Sequence, residues 1–223
     1  MILFGVTGGV AMGKSTAAEL LRDLGVAVAD TDALARAVVA PGEPALAEIR
    51  HVFGAQMVDE HGELRRERMA QLVFGDPAAR RRLEAIVHPR IRALWQAELA
   101  GWRAAGRAAG AVVIPLLFEI GAQSDFDATI CVACTAAAQQ ARLAARGWTP
   151  EQSAQRLQAQ WAIERKMATA DYVVWSEGGL EVLRGQLRRI VALCAGNRVI
   201  KGSDAHAPPS WRSTNDENGT GGG

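Results

Sequence analysis

The densest chemical signal in the chain is Gly8-Gly9-Val10-Ala11-Met12-Gly13-Lys14-Ser15, a match to G-x-x-x-x-G-K-[ST]. Each position has a physical job. Glycines let successive backbone N–H groups wrap a β-phosphate without Cβ collisions. The N-terminus of the helix that follows adds partial positive charge. Lys14 is placed to bridge β- and γ-oxygens, and the Ser15 hydroxyl to ligate Mg²⁺. The bland alternative is a glycine-rich turn that merely starts a helix. An apolar strand before the loop and an amphipathic helix after it favour a nucleoside triphosphate site, with Gly9, Val10, Ala11, Met12, Gly13, Lys14, Ser15 and Thr16 as its contacts.

A second signal is Val26-Ala27-Val28-Ala29-Asp30-Thr31-Asp32, a strand running into two carboxylates. Open α/β sheets place ligands at that strand end. A carboxylate there can accept a hydroxyl proton or hold Mg²⁺ through water. Asp32 also stands where a helix N-cap would, so spacing alone leaves these roles open. Arg142 and Arg146, at i and i+4, suit either a phosphate clamp or a solvated helix face. His88 precedes Pro89 inside a long helical pattern, where a proline-imposed break is the plain reading. Glu119 follows an apolar run, and Gln160, Arg165 and Lys166 share a helical stretch whose charge also suits an exposed face.

The elements that must position these groups alternate along the chain. Ile2–Val6, Val26–Ala29, Ala111–Pro115, Thr129–Val132 and Tyr172–Val174 read as strands, several apolar without alternation, as in a parallel sheet covered on both faces. Helical periodicity marks Lys14–Leu24, Asp32–Val39, Pro44–Phe53, Arg66–Phe74, Pro77–Ala108, Ala136–Arg146, Pro150–Thr169 and Leu180–Ala195. The second and third strands are separated by helical signal too long for one crossover, so a helical subdomain is expected at about 41–108. A smaller excursion, a lid, is expected at about 146–168. Beyond Gly196 the pattern stops, and 196–223 is expected to be a disordered tail, Pro-, Ser-, Asn- and Gly-rich at Ala207–Gly223.

The chain resembles the dephospho-coenzyme A kinases. The likeness is carried by Thr7-Gly8-Gly9 with Gly13-Lys14-Ser15-Thr16, and by D-x-D-x-x-A-R at Asp30–Arg36 followed by Val38-Val39-Ala40-Pro41-Gly42. It continues through Phe53-Gly54, His88-Pro89, Pro115-Leu116-Leu117-Phe118-Glu119, Gln139–Arg146, Gln160 and Ala170-Asp171. Many ATPases share the glycine loop; the D-x-D-x-x-A-R, His-Pro and PLLFE set is far more specific. The resemblance spans about residues 1–195 and implies a three-layer α/β P-loop kinase with a five-stranded parallel sheet. It implies phosphorylation of the ribose 3′-hydroxyl of dephospho-CoA by ATP with Mg²⁺, Asp32 orienting or deprotonating that hydroxyl beside Lys14. It implies Arg142 and Arg146 on the ATP phosphates, Arg142 counting as catalytic. It implies Thr7, Asp32, Arg36, His88, Leu116, Glu119 and Gln160 around the acceptor. Two departures stand out. Ala11-Met12 replaces a usual Gly-Ser, and Ser176 stands where an Asn that frames adenine is expected.

Composition restricts the alternatives. Net charge is +1, so no global field favours nucleic acid or an anionic membrane. All but three of the 25 basic residues are arginine, a bias that makes arginine counts uninformative. Three cysteines suit a reducing compartment, and no apolar run approaches the ~20 residues of a membrane span. A soluble cytoplasmic protein, monomeric or a weak homo-oligomer, is expected, with ATP and dephospho-CoA as its partners. Cys131-x-x-Cys134 lies on a predicted strand without a second ligand pair and reads as two buried thiols. Asp59-Glu60-His61-Gly62 reads as a turn, and Trp95, Trp102 and Trp161 as core. Two rival functions stay open: a kinase of another small hydroxyl, and a nucleotide-dependent switch, against which the absence of a guanine motif counts.

Overall fold

The computed structural model describes residues 1–200, the side chains as far as residue 196. Five parallel strands, β1 (Ile2–Gly8), β2 (Ala27–Asp30), β3 (Ala109–Val113), β4 (Ala128–Ala133) and β5 (Tyr172–Trp175), form one sheet in the order β2-β3-β1-β4-β5. β1 is central. Its Val6 lies opposite Val113, and its Gly8 opposite Val132. The chain reverses its direction of sheet growth on either side of β1, so the loop leaving β1 sits at the crevice where such sheets bind ligands. All residues of β1, β3 and β4 are buried, which is why these runs lack alternation.

Helices cover both faces. On one face α1 (Lys14–Asp23) and α9 (Leu180–Ile200) pack through Leu21, Leu183 and Leu187 against Phe4, Val6, Ile130 and Val132. On the other, the C-terminal half of α5 (Pro77–Ala104) supplies Trp95 and Leu99 against Leu3, Val112, Leu117 and Phe118. A third core lies away from the sheet. There α2 (Thr31–Ala37) leads to Val38 and Val39, which pack with α3 (Pro44–Phe53), α4 (Arg66–Gly75) and the first half of α5. These helices fill the long interval between the second and third strands. The remaining α-helices among the described residues are α6 (Ala136–Ala145), α7 (Pro150–Gln158) and α8 (Ile163–Thr169).

Several expectations need correction. The stretch Pro150–Thr169 is two helices. α7 opens on a capping box, Thr149 with Gln152, and ends at Gln158 with Ala159 as its C-cap, and α8 restarts at Ile163. Pro89 does not break its helix: α5 runs continuously from Pro77 to Ala104. The Arg90 guanidinium donates to the Ile86 carbonyl at 2.6 Å, serving a backbone group in the turn that the proline loosens. β3 begins and ends two residues earlier than its hydrophobicity suggests. α9 continues past Gly196 to Ile200, and the rest of the expected tail lies outside the described residues. Cys131 and Cys134 are buried free thiols, the first pushed up to about 11 by burial. Asp59 closes a tight turn by accepting from the backbone N–H groups of His61 and Glu63.

Candidate active site

The phosphate loop is built by close backbone approach. A Cβ on Gly8 would stand 2.2 Å from the Val132 carbonyl oxygen, so only glycine lets β1 pass β4 here. Gly13 precedes α1 with φ 90° and supplies no capping side chain, which leaves the first N–H groups of α1 to an anion. Ala11 has φ 58°, the left-handed region a side chain rarely adopts. Met12 is buried over the loop, its sulfur 2.7 Å from where a Gly9 Cβ would stand. Lys14 Nζ folds back to donate to the carbonyls of Gly8 at 3.0 Å and Gly9 at 2.8 Å. Burial and then the neighbouring Lys166 charge lower its pKa to about 8, while Asp32 pulls the other way.

Across the cleft, Asp30 rather than Asp32 caps α2: its Oδ1 accepts from the Asp32 N–H at 2.9 Å. Thr31 Oγ1 donates to the Val113 carbonyl at 2.9 Å and pins that turn to the end of β3. The Asp32 carboxylate is thereby left free in the first turn, opening to the cleft. Partial withdrawal from solvent, and next the Asp30 charge, push its pKa above the ordinary carboxylate value, with Lys14 and Arg36 opposing.

The cleft has a volume of about 880 Å³. Val10 to Thr16, Asp32, His88, Leu116, Arg146 and Gln160 line it together, as does Thr31. Thr7, Gly9, Arg36, Glu119 and Arg142 are outside that lining. Thr7 lies beneath it, fully buried, with Oγ1 donating to the Pro115 carbonyl at 3.1 Å. Arg36 is exposed on α2. Arg142 stands beside the loop, donating through Nη1 to Ser176 Oγ at 2.8 Å and through Nη2 to the Ser176 carbonyl at 2.7 Å. A longer contact from Nη1, 3.4 Å, reaches the Ala11 carbonyl. Gln139 does a similar service, donating to the Val10 carbonyl at 2.8 Å.

Glu119 and Lys166 form a buried pair at 2.8 Å. Lys166 is 0 % exposed, which corrects the charged-face reading; its Nζ also donates to the Pro115 carbonyl at 2.6 Å. Glu119 Oε1 accepts from the Trp161 N–H at 2.8 Å, so the pair ties the root of the α7–α8 segment to the floor beside the loop. Arg165 lies 3.3 Å over the Trp161 ring, and Trp161 stacks on Phe118. Sequence reasoning missed Lys166 as a structural cation, and also Arg80, Arg92, Trp148 and Arg156 in the lining. The signal for Arg92 was present, four residues beyond His88 and therefore on the same face of α5.

The chain matches the family model for dephospho-CoA kinases, CoaE, over residues 2–181. It is 44% identical over 199 residues to a dephospho-CoA kinase of Anaeromyxobacter dehalogenans, covering 89% of this chain and 94% of that protein. To one of Syntrophotalea carbinolica it is 41% identical over 214 residues, covering 94% and 99%. A solved structure from Thermus thermophilus superposes with a TM-score of 0.74 at 36% identity, over 87% of this chain and 97% of the other. The Campylobacter jejuni dephospho-CoA kinase, at 24% identity and a TM-score of 0.64, shares the fold over 88% of this chain and 98% of its own.

Proposed function

Because the chain belongs to the dephospho-CoA kinase family, we propose that its cleft transfers the γ-phosphoryl group of ATP to the ribose 3′-hydroxyl of dephospho-CoA. The observation that carries this reading is one cleft lined both by an uncapped helix N-terminus with Lys14 and by Asp32 with a raised pKa. ATP phosphates occupy the N-terminus of α1, and Lys14 leaves the Gly8 and Gly9 carbonyls to meet their oxygens. Asp32 takes the 3′-hydroxyl proton as the O3′–P bond forms and the bond to the β-phosphate oxygen breaks, releasing ADP. Arg146 meets charge on the transferring group from the lid side. Arg142 supports the loop through Ala11 and Ser176, and Ser176 takes the place of the Asn expected near the adenine.

Mg²⁺ fits this site as an ion carried in by the nucleotide. Ser15 faces the cleft in the first turn of α1, and among the described residues no group of three or more His, Cys, Asp or Glu side chains could hold a metal. Ser15 would be its protein ligand, and the bound ion would neutralise charge on the β- and γ-phosphates. Among the described residues no helix is long and apolar enough to cross a membrane. A cytoplasmic location, and action as a monomer or weak homo-oligomer, belong to the same reading.

The test is ATP consumption by the purified protein with Mg²⁺, with and without dephospho-CoA, and the mass of the product. A dephospho-CoA-dependent gain of one phosphoryl group is expected. Turnover on other small hydroxyls with none on dephospho-CoA would assign a different acceptor. Slow hydrolysis indifferent to every acceptor would favour a nucleotide switch.

A further inference from the structure

Where α6 gives way to α7, two cations converge on one ring in the wall of the cleft. The turn between the helices is fixed at both ends. Gly147 stands just past α6 with φ 72° and donates its N–H to the Ala144 carbonyl at 2.9 Å. The Trp148 N–H reaches the Leu143 carbonyl at 3.5 Å, completing the paired bonds that close a helix C-terminus. One residue later Thr149 opens α7 through its capping box. Trp148 is thus the single residue between two closed caps, and its half-buried indole stands on a backbone with little freedom. Arg156, in the second turn of α7, lies 4.1 Å over the Trp148 ring centroid, and Arg146, the C-cap of α6, lies 5.8 Å from it. All three residues line the cleft. Both arginines are exposed, and neither guanidinium has a hydrogen-bond or carboxylate partner among the described residues. Arg80, Arg90, Arg92 and Arg184, by contrast, each hold a carboxylate. After burial and the Lys166 charge, Arg146 is a lesser influence lowering the Lys14 pKa, which puts it within electrostatic reach of the phosphate loop.

We propose that Trp148 is a positioning residue for phosphoryl transfer, its ring gathering Arg146 and Arg156 over the cleft with their N–H donors unspent until the γ-phosphate of ATP arrives. The inference rests on the kinase reading of the cleft. Two guanidiniums brought together repel each other, and no carboxylate stands between them to offset that cost. The negative face of an indole offsets it instead. The choice of a ring over a carboxylate has a chemical consequence. A carboxylate would occupy the N–H groups that a phosphate needs, and its charge would repel the nucleotide. A ring holds the cation by its face, so the donors remain free and nothing has to be displaced when phosphate oxygens approach. The Trp148 ring itself touches no reacting atom in this arrangement. It acts through the two arginines.

The experiment compares Trp148→Leu, which keeps an apolar side chain without the ring, with Trp148→Phe, which keeps a smaller ring, each alone and in an Arg156→Gln background. Turnover is followed at saturating dephospho-CoA with ATP varied, and the affinities of ADP and of β,γ-imido-ATP are measured with Mg²⁺. In Trp148→Leu, kcat/KM for ATP should fall by about tenfold, the upper span of a cation–π contact at a half-exposed site. Trp148→Phe should recover most of that loss. Affinity for β,γ-imido-ATP should fall in Trp148→Leu while affinity for ADP, which lacks the γ-phosphate, stays within about twofold and reports an intact phosphate loop. In the Arg156→Gln background the same Trp148→Leu change should cost clearly less than in the wild type, because one of the cations it acts through is already gone. Equal losses in both backgrounds, a Trp148→Phe variant as impaired as Trp148→Leu, or equal losses for ADP and β,γ-imido-ATP would overturn the proposal and make Trp148 a packing residue of the turn. If the wild type does not phosphorylate dephospho-CoA, the functional reading falls, and the contrast between β,γ-imido-ATP and ADP still decides the role of Trp148.

Discussion

Lys14 and Asp32 face each other across the loop, and their surroundings pull both toward neutrality. Lys14, held at about pKa 8 by burial and the nearby Lys166 charge, carries a full charge only below that pH in the free protein. ATP binds its ammonium form, so affinity should hold steady below about pH 8 and weaken above it, approaching tenfold per pH unit. Calorimetric titration with ATP across that range checks the sign. A Lys14→Arg variant, charged throughout, should lose this pH dependence even if it binds less well overall. Asp32→Ala should keep ATP binding yet lose phosphoryl transfer by ~10²-fold or more, the usual span for a missing base. Undiminished turnover with dephospho-CoA would remove Asp32 from the mechanism. The identity of both residues was legible in the sequence because loop and strand end are local patterns. The cap was not: Asp30 and Asp32 satisfy the same spacing, and only the backbone decides that Asp30 takes the Asp32 N–H. Arg142 shows the same limit. Its i, i+4 relation to Arg146 left a solvated helix face open, whereas its guanidinium is engaged by Ser176, a residue 34 positions away.

At the scale of elements, the sheet and the main helices were readable from hydrophobic period, and the errors fall where tertiary partners override it. Pro150–Thr169 keeps a helical pattern throughout, but the turn between α7 and α8 is drawn inward by Glu119, which takes the Trp161 N–H. Lys166 looked like part of a charged face because nothing local reveals that Glu119 and the Pro115 carbonyl are waiting inside. This pair predicts a measurable asymmetry. Lys166→Met strands the Glu119 carboxylate in the interior and should cost about 3–5 kcal/mol, the range for breaking a buried ion pair from one side. For a chain of this size that lowers Tm by about 2–4 °C per kcal/mol. Replacing both partners, Glu119→Gln with Lys166→Met, should recover much of the loss, because no uncompensated charge remains. Thermal unfolding of the two single variants and the double variant measures the coupling. A double variant no more stable than Lys166→Met would show that Glu119 gains nothing from its cation.

Across the whole molecule the two ends of the cleft rest on different cores. The loop and α1 stand on the sheet and the first core, whereas the cleft wall formed by α5 is anchored at one end in the third core through Ala79 and Ile86. α5 passes out of that core and into the second through Trp95 and Leu99, and Pro89 lies between the two contacts. The joint was visible in the sequence only as a proline beside a histidine, since its meaning depends on which core each turn of α5 enters. A substitution deep in the third core should therefore separate the two binding functions. Ile49 is fully buried there, and Ile49→Ala should destabilise by about 2–5 kcal/mol. Because that cavity opens among α3, α4 and α5, amides of α3 and α4 should exchange through a partial opening well below global unfolding, while β1 and β4 amides stay protected. The KM for dephospho-CoA should rise with that opening, whereas ATP affinity, set on the sheet, should change by less than about twofold. Hydrogen exchange followed by segment, together with ATP titration of the same variant, decides the matter. Equal loss of protection in β1 and α3, with ATP affinity falling alongside acceptor affinity, would mean that the three cores open as one unit and that Pro89 joins nothing that moves separately.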